Sequence, residues 1–253
     1  MKNVIVLVVF CLLAMNLYSQ QDGRPVDFST FGSPLSGSSA SYINRSIVDK
    51  MIHDLERVNQ TGNVSEYLAA NFDGTPFMNN EFVKGDVVTV RGEVLKDVLL
   101  RYNVYSDVME GKLKDVCYEI DSKGMVKRVT LEGKTYDYLK YKIDNDEKLG
   151  YLELLEDGEW KLYCRHIKKF KEAQPPKAMQ ESGTKAKFSD LPVIYFLMKE
   201  GDETAVGFRN NKDLVNIFTD NKNEIQDFIK SNKLKSNNPE DLKKLLSFEE
   251  IKK

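Results

Sequence analysis

The chain is poor in the residues that most enzymes use to activate a nucleophile or to hold a soft metal. Of its 253 residues, two are histidine and three are cysteine. His53 sits in an amphipathic stretch with no further ligand at a matching spacing, so it reads as a surface histidine and not as part of a zinc site. Gly-x-Ser-x-Gly elbows, His-Glu-x-x-His, phosphate-binding glycine loops and Cys-x-x-Cys pairs are all missing. A net charge of −2 gives no global field to steer nucleic acid or an acidic partner. A spanning helix needs about 20 consecutive apolar residues, and the one marked apolar run, Val4–Met15, has twelve.

What is present begins with that run. Lys2 precedes it and Asn16-Leu17-Tyr18-Ser19 follows, the layout of a secretory signal peptide with cleavage expected after Ser19. Cys11 is preceded by Phe10 and lies inside the apolar run, which argues against a lipid anchor. Export would leave Cys117 and Cys164 as the two remaining thiols, a pair that invites a disulfide. Strand alternation opposes one, because Cys117 falls among Asp115 and Glu119 while Cys164 aligns with Trp160 and Leu162 on an apolar face.

Composition shifts divide the rest. Residues 20–71 read as a flexible lead-in rich in Ser, Gly and Pro, followed by an amphipathic helix with Ile47, Met51, Ile52 and Leu55 on one stripe. Three glycosylation sequons, starting at Asn44, Asn59 and Asn63, fall in this stretch. Residues 72–171 read as strands at Asp86–Val90, Val94–Tyr105, Lys112–Ile120, Met125–Leu131, Lys134–Ile143, Leu149–Leu155 and Glu159–Phe170. Short Gly- and Asp-bearing turns between them imply antiparallel neighbours. A faint repeat of 39 residues strengthens this, since Leu100-Arg101-Tyr102 with Asp107, Gly111 and Leu113 is echoed by Leu139-Lys140-Tyr141 with Asp146, Gly150 and Leu152. Residues 172–187 read as a linker around Pro175-Pro176. In 188–253, Val193–Lys199 and Thr204–Phe208 make a hairpin, and three helices follow with caps expected at Asn211, at Asp220 or Asn221, and at Asn238 before Pro239. The predicted class is therefore α+β: an antiparallel β-meander, barrel-like or two-sheeted, followed by a small helical C-terminal unit with a β-hairpin.

Chemistry is harder to place. Asp144-Asn145-Asp146 hints at a calcium loop, but Lys148 and Leu149 occupy places that need a ligand and a glycine. Asp137 and Glu153 are carboxylates on neighbouring strands, the raw material of a glycan or peptide hydrolase. His166 lies two residues from Cys164, within reach of a thiol, with no orienting acid assignable from spacing. No catalytic, cofactor or metal set is assigned. The candidate partner-binding residues are Arg101, Asn103 and Tyr105, expected on the exposed face of their strand, and Arg165, Lys168 and Lys169 in the basic run Arg165–Lys171. That run also suits a solvated edge strand.

Gly74-Thr75-Pro76-Phe77, Phe82-Val83-Lys84-Gly85, Leu100–Tyr105, Met109-Glu110, Gly150-Tyr151, Leu154–Gly158, Phe170–Ala173 and Pro175–Lys177 resemble an uncharacterised family of secreted proteins from Bacteroidota. The resemblance runs from about Phe72 to the C-terminus and carries no assigned activity. It implies a Gram-negative envelope address, in which the sequons have no use. The expected function is thus an exported, periplasmic or envelope-associated binding or structural module for an envelope protein or a cell-wall glycan. A carboxylate hydrolase is the alternative. No nucleic-acid partner is expected, and no membrane-spanning segment after signal removal.

Overall fold

The computed structural model of the chain describes Leu68 and residues 71–113, 116–120, 124–144, 146–174 and 183–251. The expected signal peptide, the helix carrying His53, the sequons and the centre of the Pro175-Pro176 linker lie outside the described residues.

The strands are β1 (Phe72–Asp73), β2 (Val83–Thr89), β3 (Val94–Asn103), β4 (Val108–Leu113), β5 (Val116–Glu119), β6 (Val126–Leu131), β7 (Lys134–Ile143), β8 (Asp146–Glu156), β9 (Trp160–Arg165), β10 (Lys168–Lys171), β11 (Ala186–Asp190), β12 (Ile194–Lys199) and β13 (Thr204–Phe208). The described helices are α1 (Asn211–Ile217), α2 (Lys222–Asn232) and α3 (Pro239–Ile251). The α+β class holds. Two expected strands are each broken in two: Lys112–Ile120 spans β4 and β5, and Glu159–Phe170 spans β9 and β10, which enter different sheets.

Ten strands run in the order β13-β12-β9-β8-β7-β6-β2-β3-β4-β5, and β13 returns to pair with β7. Strands β7, β8, β9, β12 and β13 therefore close a five-stranded barrel, with β6-β2-β3-β4-β5 continuing from it as an open arm. Closure works because β7 is long enough to divide one edge. Its residues Lys134–Asp137 pair with β6, and Lys140–Lys142 pair in parallel with Thr204–Val206 of β13. Strand β8 takes the other edge from Thr135 to Ile143.

Side chains alternate across these strands. Tyr141, Leu152, Tyr163, Phe196 and Ala205 fill the barrel. The β13 positions facing in are small because the rings opposite are large: a Cβ on Gly207 would run into the Phe196 ring, which stands edge-on to Tyr141 at 5.3 Å. Trp160, Leu162, Cys164, Tyr195, Leu197 and Phe208 point out of the barrel, where Leu214, Phe218, Ile225, Ile229, Leu242, Leu245 and Leu246 of the helical region cover them. Strand β12 is thus apolar on both faces, the mark of a strand buried between layers. The β12–β13 hairpin thus completes the barrel, and the three helices that follow pack over its outer face.

The arm packs its own core, including Val87, Leu100, Tyr102, Met109 and Val129, against Tyr136 and Tyr151 on the outer face of β7–β8. The sequence repeat maps onto two hairpins of one register, with Leu100 opposite Gly111 in β3–β4 and Leu139 opposite Gly150 in β7–β8. A second, three-stranded sheet, β1-β11-β10, gathers Phe72, Phe170 and Phe188 around Leu68, Phe77 and Tyr105. Its strand β11 begins inside the segment expected to be linker.

Side-chain caps open α1 and α3, whereas Asn221 at the start of α2 makes no capping side-chain bond. Asn238 accepts the Glu240 and Asp241 N–H groups ahead of α3 at 2.9 and 3.4 Å. Asn210, one residue before the expected Asn211, caps α1 by accepting from Lys212 and Asp213. Asn211 is otherwise engaged, donating to the Leu234 carbonyl and accepting from the Ser236 N–H.

The arm and barrel are locked together by Asp107, in the β3–β4 turn. Its Oδ1 accepts from the Tyr102 hydroxyl at 2.7 Å and from the Tyr151 N–H at 3.4 Å, and its Oδ2 accepts from Arg165 at 3.0 Å. The carboxylate passes so close over Gly150 that a Cβ there would displace it. Gly150→Ala should therefore lower stability by about 1–3 kcal/mol, read as a shift in the urea midpoint. Combining it with Asp107→Ala should give a smaller loss than the two single effects summed; strict additivity would show that the glycine serves something else.

Candidate functional site

The expected partner face on β3 is a structural network. Arg101 does point away from the arm's core, but only 1% of it is exposed. The segment from Phe77 to Phe82 covers it: the guanidinium lies 3.7 Å from the Phe77 ring centre and 4.3 Å from that of Phe82, and donates to the Asn80 carbonyl. Its partner Glu110 sits directly opposite in register and also accepts from Asn103. The expectation of an exposed face is corrected at Arg101. Alternation told which way the side chain points, but not that residues 77–82 fold over it. Asn103 is half-buried, and Tyr105 is half-buried edge-on against Phe188 at 5.4 Å.

The basic run is likewise dispersed. Arg165 lies 5.1 Å over Tyr141 and pairs with Asp107. Lys168 pairs with Asp190 at 2.7 Å, and Lys169 is exposed on β10, an edge strand of the three-stranded sheet. Of Arg165, Lys168 and Lys169, it is Lys169 that is exposed, on the same side of β10 as Lys171.

Asp137 and Glu153 are on adjacent strands, but in register Asp137 stands opposite Leu152 and Glu153 opposite Tyr136. A one-residue offset puts them on opposite faces of the sheet. Asp137 receives both arms of Arg128, at 2.6 and 2.9 Å, and the Tyr163 hydroxyl at 2.9 Å. Two carboxylates separated by the sheet cannot flank one glycosidic bond, so this pair is removed as the basis of a hydrolase.

Glu153 belongs to a different cluster. It stands opposite Cys164 in register, and His166 follows Cys164 by two residues on the same side. His166 Nε2 is 2.6 Å from Glu153 Oε2 and 3.7 Å from Cys164 Sγ, and Lys134 donates to the same Oε2 at 3.1 Å. Burial pushes the Glu153 carboxyl up, but hydrogen bonds from His166 and Lys134 outweigh it and hold the group below its ordinary value. The thiol is not an activated nucleophile. Burial, followed by the Glu153 charge, pushes it up to about 12. One imidazole nitrogen also faces both neighbours, whereas a relay needs one for the thiol and the other for the acid. Cys117, on β5, is separated from β9 by six strands of the sheet, and both thiols are free.

One open groove of about 450 Å³ lies where β13, the β7–β8 turn and α1 meet. Trp160, Phe208 and Val206 line it, with Asp144, Asp202 and Arg209 among its polar residues. Arg209 is held by Asp144 at 3.3 Å. Trp160 Nε1 is buried with no hydrogen-bond partner among the described residues. The groove combines residues some 70 positions apart in sequence, 144 to 217, so local patterning could not reveal it; the lone tryptophan was the available signal.

No family model, curated protein or solved structure matches the chain.

Removing one member of a buried ion pair strands the other, so Arg101→Ala should lower unfolding free energy by about 3–5 kcal/mol. Arg101→Met with Glu110→Leu should be milder than Arg101→Ala alone in the same urea titration. Equal losses would show that pairing is not what holds this face. Tyrosine burial gives a second outcome. Burial, followed by the charge of a nearby carboxylate, raises Tyr102 through Asp107 and Tyr163 through Asp137. A raised folded value favours the fold fully below the ordinary tyrosine value of about 10, and that stabilisation is lost as pH climbs toward the folded values. Tyrosinate absorbance from these residues should therefore appear together with loss of the far-ultraviolet sheet signal. Complete ionisation near the ordinary value with the sheet intact would contradict it.

Proposed function

We propose that this chain is an exported, envelope-associated binding or structural module of a Gram-negative cell, acting through its surface and not by catalysis. The reading rests on the signal-like N-terminus, on the resemblance to secreted Bacteroidota proteins and, above all, on the groove beside Trp160. The buried acids Glu110 and Asp137 each join an arginine on the adjacent strand, which is a structural use of charge. The groove instead offers an apolar wall with carboxylates and a guanidinium at its rim. That composition suits a hydroxyl-rich ligand, with sugar faces on the apolar wall and hydroxyls on the rim, so a cell-wall glycan is the favoured partner.

Val206 lies in the groove and is 38% exposed, so its replacement leaves the barrel core intact. Purified protein immobilised against solubilised envelope material should retain glycan, and Val206→Lys should reduce retention at least about tenfold, or roughly 1.4 kcal/mol. Retention of nothing by the unaltered protein, or equal retention by both, would count against the proposal.

A further inference from the structure

We propose that Glu153, Cys164 and His166 form a binding site for a borderline-soft divalent cation of the zinc class, independent of the groove. Three different donors, a carboxylate oxygen, a sulfur and an imidazole nitrogen, lie within 4.8 Å of one another. The fold itself brings them together: cross-strand pairing of β8 with β9 sets Glu153 against Cys164, and the next same-face position adds His166.

The spacing fits a tetrahedral ion. With metal–sulfur bonds of about 2.3 Å and metal–nitrogen bonds of about 2.0–2.1 Å, two ligands stand about 3.3–3.7 Å apart. Cys164 Sγ and His166 Nε2 are already at 3.7 Å. His166 Nε2 and Glu153 Oε2, at 2.6 Å, are closer because they are hydrogen-bonded, and that contact must open when an ion replaces it. His166 is 23% exposed, which leaves its ring room to move.

Donor chemistry selects the ion. A thiolate with an imidazole suits zinc or a similar transition ion and disfavours calcium and magnesium, which take oxygen ligands. Binding releases the thiol proton to solvent and takes the imidazole in its neutral form. The thiolate and carboxylate then balance the two positive charges. Lys134 becomes redundant, and with a side chain 44% exposed it can turn outward. Three protein ligands leave a fourth position to water. His166 and Lys134 mark the solvent side from which an ion would enter.

Chelator-stripped protein titrated with zinc by calorimetry should take up one ion per chain. Cobalt should give a thiolate-to-metal charge-transfer band in the near ultraviolet. His166→Ala should weaken zinc binding by about a hundredfold or more, since even the loss of a group supporting a ligand costs 10–100-fold. Cys164→Ser should abolish the cobalt band, whereas Cys117→Ser and His53→Ala should change neither readout. Should Cys164→Ser fail to fold in the buried face it occupies, His166→Ala at the partly exposed rim decides the matter alone. No zinc uptake, uptake unchanged in His166→Ala, or a cobalt complex without the charge-transfer band would each overturn the proposal.

Discussion

Strand β7 has two edges and must satisfy three partners, and the way it does so determines the shape of the molecule. One edge belongs to β8 throughout. The other is divided, with its first part given to β6 and its later part to β13. A shorter strand could not support both unions: without β13 the barrel would stay open, and without β6 the arm would have no root. The division also fixes where side chains go. Tyr141 enters the barrel opposite Ala205, while Tyr136 and Tyr151 are left outside as the floor of the arm's core.

Charge is organised by the same geometry. Arg101 with Glu110 and Arg128 with Asp137 are directly opposed cross-strand pairs, which is how a sheet brings buried charges together with little flexible chain between them. Asp107 does something else, carrying a carboxylate from a turn of the arm to Arg165 on the barrel. Buried pairs of this kind contribute modestly to net stability but are damaging to break. They explain why residues that look available in the sequence are committed to the architecture.

Much of the fold was readable because strand periodicity and turn chemistry are local. The strand segments, the C-terminal hairpin, the capped helices and the equivalence of the two repeated hairpins all follow from neighbours within a few positions. What could not be read depends on long-range pairing. Alternation placed Arg101 off the arm's core without showing that Phe77 and Phe82 would cover it. Neighbouring strands were foreseen for Asp137 and Glu153, but only the register showed that they face opposite ways. A barrel was one of the two forms expected of the meander, and the apolar run Ile194–Met198 was the sign that β12 is buried on both faces; that the C-terminal hairpin supplies the closing strands depends on pairing with β9 and β7. The trio of Glu153, Cys164 and His166 was half visible, as a histidine two residues from a thiol; its acid arrives from another strand.

The division of β7 also bears on how the chain acquires its structure. Thr204 pairs with Lys140, so closing the barrel joins residues 64 positions apart (204 − 140). Pairings of such separation form slowly, because loop entropy must be overcome before contacts reward it. Until residues 194–208 are in place, the outer edge of β9 and the later half of β7 expose unpaired backbone groups. Such edges are templates for pairing with a second chain. In the finished fold it is the β12–β13 hairpin that covers both edges, so one late-sequence element protects two strands far from it in the chain.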